Sequence, residues 1–339
     1  MEVFRIQGGC PLSGKVEISG SKNSSLPLFA ATLLTKEECI LENIPDLSDV
    51  RFMAEILEEM GAKVKRIKPT VWKINASDIT HSAPYHLVRK MRASFLVLGP
   101  LLSRNGYAKV SLPGGCAIGL RPVNLHIYAM KKLGSGIELT DGYVIAKAKK
   151  GQLIGNKIVF PKVSVGATEN AIMAAVFAKG ETLIKNAALE PEIEDLCNCL
   201  ISMGVEIEGV GTSSIYIQGV NSLKTISYRV ISDRIEACSF IIAAAITKSH
   251  LSIKNVNVNH ISAFLSVMKK IGLIYKVTEK TVEVFETDDL NPIKLKTSVY
   301  PGFPTDLQAQ IVTLASLCKG NSEIQENIFE NRFMHVPEL

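Results

Sequence analysis

The chain has 339 residues, of which 47% are apolar and 6% aromatic. That is too long for one average domain, and it is enough aliphatic material to give each of two domains a core. Its formal net charge of +5 comes from scattered lysines that often neighbour glutamates, which excludes a nucleic-acid footprint but leaves room for a basic cleft around a small anion.

Met1–Ile6 alternates like a strand and lacks the long apolar region of a signal peptide. The longest apolar run, Phe240 to Ile246, is far too short to span a bilayer. Seven cysteines are an odd number without regular spacing, so neither a disulfide framework nor a zinc site is implied. Cys197 and Cys199, together with Cys10, Cys39, Cys238 and Cys318, read as structural thiols. A reducing cytoplasm is the compartment these features predict.

In chain order, four segments share one plan of polar start, Ala-rich helix, short turn and alternating strand: Ser21–Ile44, Val163–Ala188, Ser232–Val258 and Thr305–Phe329. Met91–Leu112 is a looser copy. The four clear copies place an asparagine at a similar point, as Asn43, Asn186, Asn255 and Asn327. The predicted strands are Glu38–Glu42, Thr182–Lys185, His250–Ile253 and Ser322–Gln325. A second helix follows each of the earlier strands and ends at a glycine, in Met60-Gly61, Leu133-Gly134, Met203-Gly204 and Ile271-Gly272, the usual left-handed cap. These glycines recur about every 70 residues, which predicts a fifth near position ~340. The expectation is therefore a truncated product or fragment, against the alternative of a divergent last repeat that caps the fold early. Strands and helices in tandem predict an α/β (α+β) architecture in which each unit lays its helices on a small mixed sheet. The join between lobes is expected at Ser227–Ser232.

Leu112-Pro113-Gly114-Gly115-Cys116-Ala117-Ile118-Gly119-Leu120-Arg121-Pro122 puts one thiol in a glycine-rich loop five residues before a guanidinium. Glycines permit close approach to a ligand, and a fixed cation favours the reactive thiolate. A free cysteine is ordinarily a small buried hydrophobe; the glycines, proline and Arg121 favour a reactive sulfur on a loop that moves to an anionic substrate. Charges also gather at the starts of the repeats: Lys22 and Asn23 in the first, Arg92 before Ala93 and Ser94 in the looser copy, Lys162, Ser164, Gly166 and Thr168 in the next, Asp233 and Arg234 after that. Thr305-Asp306-Leu307-Gln308 reads as a capping box. If the repeats pack about common axes, several helix N-termini face one cleft and favour an anion there. On residue type alone, Lys22, Arg92 and Arg332 read equally well as solvated surface groups, Asp306 as a simple helix cap, and His126 as structural. No Walker A pattern is present, and no G-x-G-x-x-G follows a strand.

Six stretches occur in the order of one known family: Ser21-Lys22-Asn23, Met91-Arg92-Ala93-Ser94, Pro113–Gly119, Lys162–Thr168, Phe303-Pro304-Thr305-Asp306 and Phe329–Leu339. Over its whole length the chain resembles the UDP-N-acetylglucosamine 1-carboxyvinyltransferases, or UDP-N-acetylglucosamine enolpyruvyl transferases. The resemblance implies two lobes of repeated units with helices inside and sheets outside, an inside-out α/β barrel, with residues 1–20 and 231–339 in one lobe and 21–230 in the other. It implies transfer of the enolpyruvyl group of phosphoenolpyruvate to the 3′-hydroxyl of UDP-N-acetylglucosamine with release of phosphate, the first committed step of peptidoglycan synthesis. Neither metal nor organic cofactor is implied, and the partners are these two small molecules rather than nucleic acid or membrane. Cys116 would be the proton donor, able also to form an adduct with phosphoenolpyruvate. Asp306 would accept the proton of the sugar hydroxyl, and Lys22 and Arg121 would neutralise phosphate and carboxylate. Asn23, Arg92, the run Arg121, Pro122, Val123, Asn124 and Leu125, then Lys162, Val163, Ser164 and Val165, and finally Asp306, Ile328 and Arg332 would line the sugar-nucleotide and enolpyruvate sites. The family usually has Asp where this chain has Asn124, and it continues for most of a further repeat plus a final one. The expectation is family chemistry with little activity in the chain by itself. The alternatives are the sister 3-phosphoshikimate 1-carboxyvinyltransferase, against which the Cys116 loop and the Lys162–Thr168 motif argue, and an inactive binding remnant.

Overall fold

A computed structural model of the chain describes residues 3, 5, 7–83, 85–88, 91–113 and 123–339. They form two compact units, Met1–Ser19 with Ser232–Leu339, and Gly20–Ile231. Val3 and Arg5 lie outside any strand, and the other four residues of the strand expected over residues 1–6 lie outside the described residues. The first strand among the described residues is Ser13–Glu17.

The larger unit holds three four-stranded sheets. Their strand orders are Ile226–Arg229, Glu38–Glu42, Val71–Asn75, Lys63–Lys68; then Ser82–Ala83, Tyr107–Ser111, Tyr143–Ala148, Ser135–Thr140; then Lys157–Val159, Glu181–Lys185, Ser214–Gln218, Glu206–Glu208. In each, the first pairing is parallel and the other two are antiparallel. The smaller unit repeats this plan with Ser13–Glu17, His250–Lys254, Thr281–Val284 and Tyr275–Val277, and adds the parallel pair Lys294–Lys296 and Glu323–Gln325. A parallel pair needs a crossover, which explains the helix between its two strands.

The helices are of two kinds. Lys22–Ala31 and Val165–Ala175 are buried almost all round, from Ser24 to Ala31 and from Ala167 to Ala175. Ser48–Glu59 and Pro191–Ser202 instead bury one stripe and expose the other. A helix apolar on every side belongs in a core, so the Ala-rich helices lie inside and the sheets cover them. Small residues permit the close packing. A Cβ on Gly99 would lie 2.5 Å from the backbone oxygen of Asn170, where helix Leu98–Asn105 meets Val165–Ala175. Fully buried Phe29, Phe95 and Phe160 fill the larger core and Phe264 the smaller, each contributing about 1.5–3 kcal/mol relative to exposure.

The repeated asparagine has a structural explanation. Asn43, Asn186 and Asn255 sit at φ 61, 57 and 60°, a left-handed conformation that asparagine tolerates better than most residues. Their Nδ2 atoms donate to the backbone oxygens of Val230 at 2.9 Å, Phe160 at 2.9 Å and Ile18 at 2.7 Å. Each acceptor is the residue just after the parallel edge strand, and its own N–H donates back to Glu42, Lys185 or Lys254. Asn327 makes the corresponding contact with Thr297 at 3.3 Å. Each amide therefore clips the end of the strand that leads into the next helix start. The looser copy has Leu112 after its strand and no such amide. Gly61, Gly134, Gly204 and Gly272 all have positive φ at the ends of the second helices, as their spacing predicts.

Candidate active site

In the larger unit, Ser21 caps helix Lys22–Ala31 by accepting from the N–H of Ser24 at 3.2 Å. The cap places Lys22 and Asn23 in the first turn. Lys22 Nζ lies 3.2 Å from Asp49 Oδ2, and both side chains are about two-fifths exposed (38% and 44%). The Ser24 hydroxyl donates to buried Asp195, which also accepts from the hydroxyl of Tyr228 at 2.7 Å and from the N–H of Ile231 at 3.4 Å. Burial pushes the Asp195 carboxyl up, against those hydrogen bonds.

Three predicted stretches come together around His126. Val123 is buried, and Asn124 opens the helix Asn124–Lys132 with its side chain exposed. Leu125 is half-buried. His126 is buried, with Nδ1 2.8 Å from Asn170 Nδ2. Asn170 Oδ1 accepts from the N–H of Gly99 at 2.6 Å, and Nδ2 also donates to the oxygen of Phe95. The Asn170 amide is thereby oriented as a donor to Nδ1, which leaves the imidazole proton on Nε2. Burial first, then the positive charge of Arg92, lowers the His126 pKa to about 3. The ring is a neutral hydrogen-bonding group, as the structural reading of His126 expects. Arg92 opens the turn Arg92–Val97. On another side of the ring is Gly166, where an added Cβ would sit 3.1 Å from His126 Cε1. Gly166 follows Lys162, Val163, Ser164 and Val165 directly. Ser164 is the cap of that helix, its hydroxyl accepting from the N–H of Ala167 at 3.4 Å. Lys162 is exposed, and Val163, Ser164 and Val165 are half-buried.

Sequence reasoning missed a buried acid here. Glu169 is 4% exposed, and burial, followed by the charges of Glu192 and Glu190, raises its pKa to about 8. The Glu-Pro-Glu run that opens helix Pro191–Ser202 is visible in the sequence, but as acids at a helix start it reads as ordinary capping.

In the smaller unit, Arg332 Nη2 donates to Asp306 Oδ1 at 2.8 Å. The arginine side chain is 18% exposed and the aspartate 38%, so Arg332 is not the solvated surface group that residue type alone allows. Ile328 is half-buried nearby in sequence. The capping box expected at Thr305–Gln308 does not form. Thr305–Leu307 is a short 3₁₀ turn, Leu307 precedes helix Gln308–Ala315 without a side-chain cap, and the Thr305 hydroxyl donates instead to Glu326 at 3.0 Å.

Cys116, Arg121 and Pro122 lie outside the described residues. Among the other cysteines, Cys39, Cys197, Cys199 and Cys238 are buried, Cys318 is half-buried and Cys10 is exposed. Among the described residues no group of three or more His, Cys, Asp or Glu is arranged to hold a metal, and no helix is long and apolar enough to cross a membrane.

The model of the EPSP synthase (3-phosphoshikimate 1-carboxyvinyltransferase) family matches residues 6–339. A UDP-N-acetylglucosamine 1-carboxyvinyltransferase of Maricaulis maris is 49% identical over 341 residues, covering 100% of this chain and 81% of the relative. The protein of that name from Rickettsia akari is 51% identical over 343 residues, with the same coverage. Among solved structures, the enolpyruvyl transferase NikO from Streptomyces tendae superposes with a TM-score of 0.85 at 24% identity, covering 98% of this chain and 79% of that one. EPSP synthase from Acinetobacter baumannii gives 0.68 at 18% identity, covering 92% and 73%. These two likenesses establish the two-lobed fold of repeated units with helices inside and mixed sheets outside. With sequence identity near one half along its entire length, the chain belongs to the UDP-N-acetylglucosamine 1-carboxyvinyltransferase family of enolpyruvyl transferases.

Proposed function

We propose that this chain carries the machinery for moving the enolpyruvyl group of phosphoenolpyruvate to the 3′-hydroxyl of UDP-N-acetylglucosamine, releasing phosphate, in the cytoplasm and as the committing step of peptidoglycan synthesis. The observation that carries the reading is the identity of 49% over the full chain to relatives of that name. The gathering of Arg92, the Asn124–Leu125 helix start and the Lys162–Val165 helix start around a neutral His126 supports it. Two helix starts and a guanidinium suit a diphosphate, and the exposed carbonyl of Asn124 serves as an acceptor where an acid is usual.

The chemistry needs two proton transfers and fixed positive charge. Asp306 takes the proton of the sugar hydroxyl, held by the Arg332 guanidinium at its Oδ1. The freed oxygen bonds to C2 of phosphoenolpyruvate while Cys116 delivers a proton to C3. Lys22 and Arg121 balance the carboxylate and phosphate of the tetrahedral intermediate. Loss of a proton from C3 then restores the double bond as the C2–O bond to phosphate breaks. Asn23 contacts the sugar, and Pro122, Val123, Lys162, Val163, Ser164, Val165 and Ile328 line the nucleotide. Closure of the Cys116 loop excludes water, which strengthens each charge contact.

The name of the matching family model favours one second reading, transfer to shikimate 3-phosphate. Phosphate release from phosphoenolpyruvate, measured with each acceptor in turn, separates the two. Release with UDP-N-acetylglucosamine alone is expected. Release with shikimate 3-phosphate alone would overturn the assignment.

A further inference from the structure

Glu326 joins two segments that both bear proposed substrate contacts. Its Oε1 accepts from the backbone N–H groups of Ile328 at 2.7 Å and Phe329 at 3.1 Å. A carboxylate that accepts from residues two and three positions ahead makes an ordinary local turn. The second oxygen does something a turn does not require. Oε2 accepts from the hydroxyl of Thr305 at 3.0 Å, 21 residues earlier in the chain. Thr305 directly precedes Asp306. The same carboxylate therefore fastens the turn that carries the proposed base to the corner that carries Ile328.

The neighbouring bonds leave Glu326 as the link between them. Asn327 is held to Thr297 by both its N–H, 2.9 Å from Thr297 Oγ1, and its amide, so the Ile328 side is anchored to a fully buried residue. Thr305 lies in a short 3₁₀ turn that has no side-chain cap of its own. Arg332, four residues beyond Ile328, reaches back to Asp306. The Arg332 contact sets one oxygen of the aspartate, while the Thr305–Glu326 contact sets the backbone that carries it.

We infer that Glu326 is a positioning residue of the sugar-nucleotide site, acting through Thr305 on Asp306 and through two backbone N–H groups on Ile328. This rests on the functional reading above. It makes the two arms separable by substitution. Glu326→Ala removes both. Thr305→Val removes only the arm to the Asp306 turn and keeps the side chain's shape. In Glu326→Gln the amide oxygen still accepts from the two N–H groups and the amide nitrogen donates to the Thr305 hydroxyl, so both arms survive without the charge.

The test is calorimetric affinity of the full chain for UDP-N-acetylglucosamine, with amide hydrogen exchange at Ile328 and Phe329 and a thermal melt for each variant. Glu326→Ala is expected to weaken binding by about tenfold, the scale of one or two positioned hydrogen bonds, and to lose protection at both amides. Glu326→Gln is expected to restore both. Thr305→Val is expected to weaken binding while keeping the amides protected. Unchanged affinity in Glu326→Ala overturns this inference alone. So does a loss in Glu326→Ala that Glu326→Gln fails to rescue at an equal melting temperature. No binding by the unaltered chain overturns the functional reading and this inference with it.

Discussion

Asn186 Nδ2 lies 2.9 Å from the backbone oxygen of Phe160, and this contact sets where the segment Lys162–Val165 begins. Phe160 directly follows the parallel edge strand Lys157–Val159, and two residues later the chain reaches Lys162. Asn186 does two things: it occupies φ 57° and it supplies a donor. Substitution separates them. Asn186→Gly keeps the backbone freedom and loses the bond, and is expected to cost about 1 kcal/mol. Asn186→Ala loses the bond and strains a left-handed residue, and is expected to cost about 2–3 kcal/mol. Urea unfolding of both variants checks the order. Equal losses would show that the amide, not the conformation, carries the whole effect.

Burial of Glu169 and its neighbours Glu192 and Glu190 makes stability depend on pH. The folded carboxyl titrates at about 8, against an ordinary value of 4.5. Its contribution is complete below 4.5 and is lost as pH rises through 8, because the unfolded chain ionises first. His126 works in the opposite direction. Its folded value of about 3 lies below the ordinary 6.5, so its contribution is complete above 6.5 and is lost as pH falls toward 3. Glu169→Gln is therefore expected to gain on the unaltered chain steadily from pH 4.5 to 8, then hold level. Urea midpoints across that range measure it, and a gap that does not vary with pH would contradict the assignment.

The cysteines should differ sharply in reactivity. Burial pushes the thiols of Cys39 and Cys197 up to about 12, with nearby glutamates adding to the effect. It also raises the thiols of Cys199 and Cys238 well above the ordinary value, and that of Cys318 as well. An epoxide such as fosfomycin is expected to alkylate Cys116 first in the folded chain, with these five unmodified until the chain unfolds. Peptide mass spectrometry after brief labelling reads the order. Equal modification of all seven would remove Cys116 from its role.

Much of the architecture was legible because the repeat writes it several times. The four asparagines and four capping glycines mark positive φ or a fixed strand end, which few residues tolerate, so their spacing carries geometry. The strand Glu38–Glu42 has the same limits in sequence and structure. Local pattern misled where a side chain found a distant partner. Thr305 has the spacing of a capping residue, yet bonds to Glu326. Glu169 looks like a surface acid inside an Ala-rich helix, and only the packing of Pro191–Ser202 against that helix reveals its burial. Glu326 and Asp195 were invisible for the same reason, since their roles exist only once segments remote in the chain are folded together.

Proton delivery by Cys116 is the step on which the proposed enolpyruvyl transfer to UDP-N-acetylglucosamine depends most. Its most direct test is the rate of phosphate release from phosphoenolpyruvate with that acceptor, compared between the unaltered chain and Cys116→Ser over a range of pH. Turnover by Cys116→Ser is expected to fall about 10²–10⁴-fold below that of the unaltered chain, the usual worth of a positioned acid. Product formed by Cys116→Ser at an undiminished rate at every pH would contradict it.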